Sequence, residues 1–546
     1  MTMRHGGRIL ADQLAIQGVR RVFSVPGESF LAALDGLYDH NIQNIVCRQE
    51  GGAAMMAEAH GKLTGSPGVL FVTRGPGATN ASAGLHVAMH DQTPMVCFVG
   101  QIERAHRDRG AFQEVDYRAF FTPLVKWAVE VEQTERLPEY IARAFHLAQS
   151  GRPGPVVVSL PEDMLSAMVD VPDLAPVSPV VQSVNPAQAR DTVARLLAHD
   201  RPLVILGGPG WSTAAQQDVE AFATATDLPV AVSFRRHDYI DNRHPSYIGD
   251  LTTGMNPRLA QRVRDADAVL VLGSRLGDFT TDGYRLIDPA APGKAIFHIH
   301  PDPDEFNAAY QPTQAIAAPA PVFLAALRGV NDLTVRDPTW TADARADFDT
   351  WQTPQETPGT VKMEAIVTWL RDHMDGRGII TNGAGNYATF LHRYGRFHRY
   401  GGQLSPTSGS MGYGLPAAIA AKLEHPDQTI VCFAGDGCMQ MTMQELSTAR
   451  QYSADVIVIV ANNGRYGTIR MHQENHYPGR VSGTDLFNPD YATLARAYGG
   501  TGHVIEHTDQ FAAAFHVAEQ GGLHIIELRL DPDMLTTTTS LSDLVD

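Results

Sequence analysis

The chain has 546 residues, enough for three domains of about 150 residues each, and its 44% apolar and 19% charged residues are those of an ordinary soluble globular protein. A net charge of −17 argues against nucleic acid or an anionic membrane as partner, yet leaves room for an anionic ligand held by a helix terminus or a metal. No apolar run approaches the ~20 residues that span a bilayer, "MTMRHGGRILADQLA" lacks a signal-peptide core, and Cys47, Cys97, Cys432 and Cys438 form no CxxC pair, so a cytoplasmic protein with reduced core thiols is expected.

In chain order, "RRVFSVPG", "NIVCRQE", "GVLFVTRGPG", "PMVCFVGQ" and "GRPGPVVVSLPEDM" read as buried strands separated by helical sequence, the pattern of a parallel sheet covered on both faces. A Pro-rich stretch, "VPDLAPVSPVVQSVNP", ends this unit. The strands "RPLVILGG", "DAVLVLGSRLGDF" and "AIFHIHPD" mark a second unit, and "GIITNGAG", "QTIVCFAGDG" and "DVIVIVANN" a third. The expectation is α/β, with three doubly wound parallel-sheet domains over 1–180, 187–335 and 360–546.

Within the third unit, "TIVCFAGDG" and "DVIVIVANN" flank one amphipathic helix as a βαβ unit, which puts Asp436 and Asn463 at neighbouring strand carboxyl ends. A carboxylate and an amide oxygen without thiolate or imidazole suit a hard cation such as Mg²⁺, which shares its shell with phosphate oxygens. Gly435 and Gly437 admit close backbone approach, and the following helix offers free N–H groups to an anion. Either turn alone would read as an ordinary strand ending; together they read as a metal–diphosphate clamp.

These residues, with "VPGE", "CRQEGGAAMMAEAHGKLTG", "VTRGPGATN", "GAFQEVD", "GRPGPVVVSLPED" and "SGSMGYGLPAAIAA", resemble the thiamine diphosphate enzymes of the acetolactate (acetohydroxyacid) synthase-like family over essentially the whole chain. The resemblance implies pyrimidine-binding, central and diphosphate-binding domains in that order. It makes Asp436, Asn463 and the carbonyl of Arg465 ligands of Mg²⁺. It places Gly385, Asn386, Ser408, Gly409, Gly435, Gly437, Cys438, Tyr466, Gly467, Thr468 and Ile469 along the cofactor, with Met411 as the apolar wedge that bends it. Pro26, Gly27, Glu50, Thr73, Gly77 and Asn80 would meet the pyrimidine. Glu50 and Asp436 would come from different subunits of a homodimer or homotetramer.

By the same resemblance, Glu50 shares a proton with the pyrimidine N1′ and so helps to raise the carbanion that attacks a 2-oxo acid, releases CO₂ and passes the enamine to an aldehyde or 2-oxo acid. Phe112, Gln113 and Lys126 match substrate-side positions of the family, and His472 stands where biosynthetic synthases carry tryptophan. Phe279 stands where they carry the arginine that holds the acceptor's carboxylate. The product therefore stays open between acetolactate-type ligation, a lyase or decarboxylase reaction on 2-hydroxyacyl or aromatic substrates, and a flavin-dependent oxidation. A non-catalytic cofactor-binding regulator is the rival from another class. The middle domain's "VILGGPGWSTAA" leaves FAD as a possible occupant. The pairs His86/His90 and His298/His300 read as structural, and the tail "DMLTTTTSLSDLVD" as mobile or a lid.

Overall fold

The apolar runs form three six-stranded sheets in which every strand pairs parallel to its neighbours. The computed structural model describes residues 3–545 except 181, 331 and 336. The N-terminal sheet consists of β1 (Arg21–Ser24), β2 (Gln43–Val46), β3 (Gly68–Val72), β4 (Met95–Gln101), β5 (Trp127–Glu130) and β6 (Pro155–Pro161), in the order β2-β1-β3-β4-β6-β5. Strands β3, β4 and β6 are buried at every position, which is why they lack polar alternation. Helix α1 (Glu50–Thr64) starts where the Gln49 side chain accepts from the Gly52 N–H at 3.0 Å, and α2 (Leu137–Gln149) precedes β6.

The central sheet contains β7 (Pro202–Leu206), β8 (Val230–Val232), β9 (Tyr247–Asp250), β10 (Ala268–Leu272), β11 (Ala295–His300) and β12 (Gln314–Ala317), ordered β9-β8-β7-β10-β11-β12. Helix α3 (Pro257–Asp265) leads into β10. His298 donates to the Ser274 carbonyl at 2.8 Å inside this domain, and the His86 and His90 rings lie 4.3 Å apart, tilted at 42°, on one helix.

The C-terminal sheet is β14-β13-β15-β16-β18-β17, from β13 (Ile379–Asn382), β14 (Gln403–Leu404), β15 (Ile430–Gly435), β16 (Ile457–Asn462), β17 (Thr501–Ile505) and β18 (His524–Arg529). Helices α4 (Met363–Met374), α5 (Gly414–Glu424), α6 (Asp436–Gln440), α7 (Gly467–His476) and α8 (Gln510–Ala518) surround it. Connections leave β13 toward β14 on one side and β15 toward β16 on the other, so the crevice at their carboxyl ends is a topological switch point.

Alanine-rich faces of α1 and α5 bring the first and third domains together in one core that includes Ala53, Ala54, Ala57, Ala417, Ala418 and Ala421. Small side chains let these helices approach closely, and each Leu, Ile or Phe sealed around them contributes about 1.5–3 kcal/mol. Asp91 is buried where all three domains meet: Lys62 reaches it at 2.6 Å, Arg236 of the central domain at 3.4 Å, and the Thr407 N–H at 2.8 Å. The tail is packed at its start, where Met534 and Leu535 are buried and the Leu541 N–H donates to the Asp533 carbonyl. The four cysteines are buried and unpaired, and burial pushes the Cys97 and Cys432 thiols up. No helix among the described residues is long and apolar enough to cross a membrane.

Candidate active site

Gly435 at the end of β15 pairs with Ala461 of β16, so Asp436 and the Asn462–Asn463 turn leave adjacent strands at one height. A cavity of about 250 Å³ opens there, lined wholly by residues between Ala384 and Leu535. It collects Gly385, Asn386, Gly409, Met411, Gly435, Asp436, Gly437, Cys438, Asn463, Arg465, Tyr466, Gly467, Thr468 and Ile469 of the sequence reading. The two asparagines part ways: Asn463 lines the cavity, whereas Asn462 turns to the sheet and donates to Glu527 Oε1 at 2.7 Å.

Asp436 is 4% exposed, and only neutral groups reach its carboxylate: the Gly437 N–H at 2.8 Å, the Gly464 N–H at 2.9 Å and Asn488 Nδ2 at 2.7 Å. Burial pushes its carboxyl upward against those donors, and among the described residues no cationic side chain pairs with it. A buried carboxylate held this way suits a cation. The Arg465 N–H reaches Asn463 Oδ1 at 3.3 Å, and the Arg465 carbonyl accepts from the Gly467 N–H at 2.9 Å. The hydroxyl of Ser408, outside the lining but next to Gly409, is buried with no partner among the described residues. A Cβ on Gly437 would lie 2.5 Å from the Tyr466 ring, so only glycine lets α6 begin beneath that ring. These residues fit a Mg²⁺–diphosphate group: a buried carboxylate, an amide and a carbonyl oxygen, and a hydroxyl with no partner among the described residues.

Cys438 plays a local part, its sulfur accepting from the Gly412 N–H at 3.1 Å and the Tyr387 hydroxyl at 3.3 Å. Tyr387, which also lines the cavity, and Asn488 escaped the sequence reading, Asn488 because "TDLFNPD" carries no pattern that points to Asp436. Thr468 Oγ1 holds Asn386 twice, accepting from its N–H at 3.0 Å and donating to its Oδ1 at 2.9 Å.

The N-terminal domain carries a second, separate constellation. Glu50 is the first residue of α1, 8% exposed, and its Oε2 accepts from Asn80 Nδ2 at 2.9 Å. A Cβ on Gly77 would stand 3.1 Å from Glu50 Oε1 and 2.8 Å from Thr73 Cγ2, and one on Gly27 would strike Thr73 at 2.3 Å. Gly27, Glu50, Thr73, Gly77 and Asn80 thus form one surface, with Pro26 beside Gly27, and none of them lines the cavity around Asp436.

The substrate-side residues do not all converge. Gln113, in a left-handed conformation (φ +65°), packs its Cβ over Gly75 near that surface, and Phe112 beside it is 74% exposed. His472 lies on the exposed side of α7, outside the lining. Lys126 is committed elsewhere: its ammonium donates to the Leu147 carbonyl and, at 2.7 Å, to the Ser150 carbonyl, capping the carboxyl end of α2. Burial lowers it to about 8. Lys294, likewise lowered to about 8, caps α3 through the Ala266 carbonyl at 2.9 Å.

In the central domain the switch point lies between β7 and β10, and two aromatic side chains bond the glycine turn there. Trp211 Nε1 donates to the Gly207 carbonyl at 2.8 Å and the Tyr239 hydroxyl to the Gly208 carbonyl at 2.7 Å, with the two rings stacked at 4.5 Å. Phe279 stacks on Phe234 at 5.0 Å close by.

Three doubly wound sheets with an acidic, cation-ready cavity at the last switch point define a class, and family models agree with it. The thiamine pyrophosphate enzyme N-terminal, central and C-terminal domains match residues 4–120, 189–327 and 383–528. The chain belongs to the thiamine pyrophosphate enzymes, in their acetolactate synthase-like family. It is 32% identical over 529 residues to the acetolactate synthase isozyme 3 large subunit of Escherichia coli K12, covering 93% of this chain and 91% of that one. The isozyme 2 large subunit of the same organism is 30% identical over 539 residues, covering 96% of each. The acetolactate synthase of Arthrospira platensis is 31% identical over 525 residues, covering 90% of this chain and 88% of that protein.

Proposed function

We propose that this enzyme decarboxylates a 2-oxo acid, pyruvate being the first to test, and joins the retained carbon unit to a second carbonyl compound, using thiamine diphosphate and Mg²⁺. When bound, the cofactor supplies the electron sink that lets a 2-oxo acid lose CO₂. The observation that carries the reading is Asp436: a buried carboxylate without a cationic partner among the described residues, at the head of a cavity of about 250 Å³. Asp436, Asn463 and the Arg465 carbonyl would hold the metal, and the Ser408 hydroxyl would meet the diphosphate.

Glu50 would hold and return a proton at the pyrimidine N1′, with Asn80 fixing its carboxylate. Because the Glu50 surface does not join the Asp436 cavity within one chain, the reading requires two copies, each completing the other's site. Met411, on the cavity wall, would support the bent cofactor. The stacked Phe279–Phe234 pair supports an uncharged acceptor such as an aldehyde over a second carboxylate-bearing 2-oxo acid. The reading assigns the central domain no flavin, because Trp211 and Tyr239 lie over the glycine turn at its switch point, and it favours ligation or simple decarboxylation over oxidation.

The test is a panel of 2-oxo acids given to the holoenzyme with and without aldehydes, products being identified by mass. The reading expects CO₂ and a carbon–carbon ligated product. Absence of CO₂ release from every donor, with cofactor bound, contradicts it.

A further inference from the structure

Away from the cavity, on the outer face of the C-terminal domain, two imidazoles and a carboxylate converge from two helices. His373, in the last turn of α4, places Nε2 at 2.7 Å from Oε2 of Glu519, the residue that follows α8. His516, one turn earlier on α8, places Nδ1 at 3.7 Å from the same oxygen. The three ligand atoms lie within 4.8 Å of one another. Four ligands about 2.0–2.1 Å from a tetrahedral ion stand about 3.3–3.5 Å apart, so rotamer adjustments of under 2 Å would close the set.

The rings are also held in place. The Trp369 indole lies flat on the His373 imidazole, 4.6 Å away with planes 7° apart, and meets His516 edge-on at 5.5 Å. The two imidazole centroids stand 4.9 Å apart with planes at 77°, an arrangement that one tetrahedral ion accommodates. Phe515 closes the apolar side against His373 at 5.6 Å, while His516 keeps its outer edge in solvent, where a water would complete the shell.

A plain histidine–glutamate ion pair would explain His373 with Glu519. It does not explain a second imidazole within reach of the same oxygen, or an indole that orients both rings. We propose that His373, His516 and Glu519 form a binding site for a borderline transition-metal ion of the Zn²⁺ class, separate from the Mg²⁺ site. Imidazole ligands select Zn²⁺, Co²⁺ or Cu²⁺, whereas Mg²⁺ keeps to oxygen, so the two sites sort their ions by ligand chemistry. The ion acts as a clip. Helices α4 and α8 cover the sheet face that presents Val431 and Phe433 of β15 and Ile457 and Ile459 of β16, the strands that end at Asp436 and Asn463. A bond between the helices braces that face.

The test uses holoenzyme kept in thiamine diphosphate and Mg²⁺, titrated with Zn²⁺ calorimetrically and with Co²⁺ by visible absorption. The expected result is one Zn²⁺ per chain at this site, a Co²⁺ spectrum of tetrahedral intensity, and a Tm that rises with Zn²⁺. His516→Ala, at an exposed ring, and Glu519→Gln should each weaken that binding by about tenfold or more and abolish the Tm rise, with Mg²⁺ dependence unchanged. Zn²⁺ affinity and Tm response that are the same in wild type, His516→Ala and Glu519→Gln overturn the proposal, as does a wild type that takes up no Zn²⁺. Neither result bears on the thiamine reading.

Discussion

Asn488 Nδ2 stands 2.7 Å from Asp436 Oδ2 and, with its second hydrogen, 2.8 Å from Asn462 Oδ1. One amide therefore ties together the two strand ends that frame the cavity, and Gln440 Nε2 fixes its oxygen at 2.7 Å. Asn488 occupies one lone pair of the proposed metal ligand and sets the direction of the others.

Asn488→Ala should weaken Mg²⁺-dependent cofactor binding by about tenfold to a hundredfold while the protein stays folded. Asn488→Asp should do worse, because it sets a second carboxylate against the buried carboxylate of Asp436. Thiamine diphosphate affinity measured at several Mg²⁺ concentrations checks both. Wild-type affinity in Asn488→Ala would remove Asn488 from the site.

Glu50→Gln should bind the cofactor nearly as well as the wild type yet lose about 10²–10⁴-fold in decarboxylation, since the amide keeps the shape but not the proton. A calorimetric Kd beside a CO₂-release rate separates the two effects. Mixing Glu50→Gln with Asp436→Ala chains should restore part of the activity, because each mixed dimer keeps one intact pair.

The sequence disclosed the strands because each is buried on both faces and so reads as an unbroken apolar run, "TIVCFAG" and "DVIVIVA" among them. It disclosed Asp436 and Asn463 because both follow such runs directly. It did not disclose Asn488 or Tyr387: their roles arise from a loop and a helix folding over the crevice, contacts with no local periodicity. Lys126 shows the converse. Its sequence context matched a substrate-side position, whereas tertiary packing delivers its ammonium to the end of α2.

Lys126→Met should therefore leave turnover of the enzyme intact and reduce stability by ~1 kcal/mol, the net worth of a lost cap. It also predicts a pH signature. Folded Lys126 gives up its proton from about 8, while an unfolded lysine keeps it to about 10.5. Unfolding takes up a proton in that window, so this residue makes stability rise with pH between those values, and the substitution should remove that increment. Tm measured from about pH 8 upward checks the sign; loss of pyruvate turnover in Lys126→Met would return the residue to the substrate side.

The Trp211–Tyr239 pair over the central glycine turn predicts a colourless protein. Purified enzyme should show no flavin absorption near 450 nm, and added FAD should leave the fluorescence of Trp211 unchanged. A yellow preparation with bound FAD would show that Trp211 and Tyr239 move aside.

The most direct test of the whole account is a thiamine diphosphate titration of wild type and Asp436→Ala, each with Mg²⁺ and with chelator. The account predicts one cofactor bound per chain in the wild type with Mg²⁺, and binding at least about a hundredfold weaker when either the ion or the Asp436 carboxylate is removed. Equal affinity in all four conditions would contradict it.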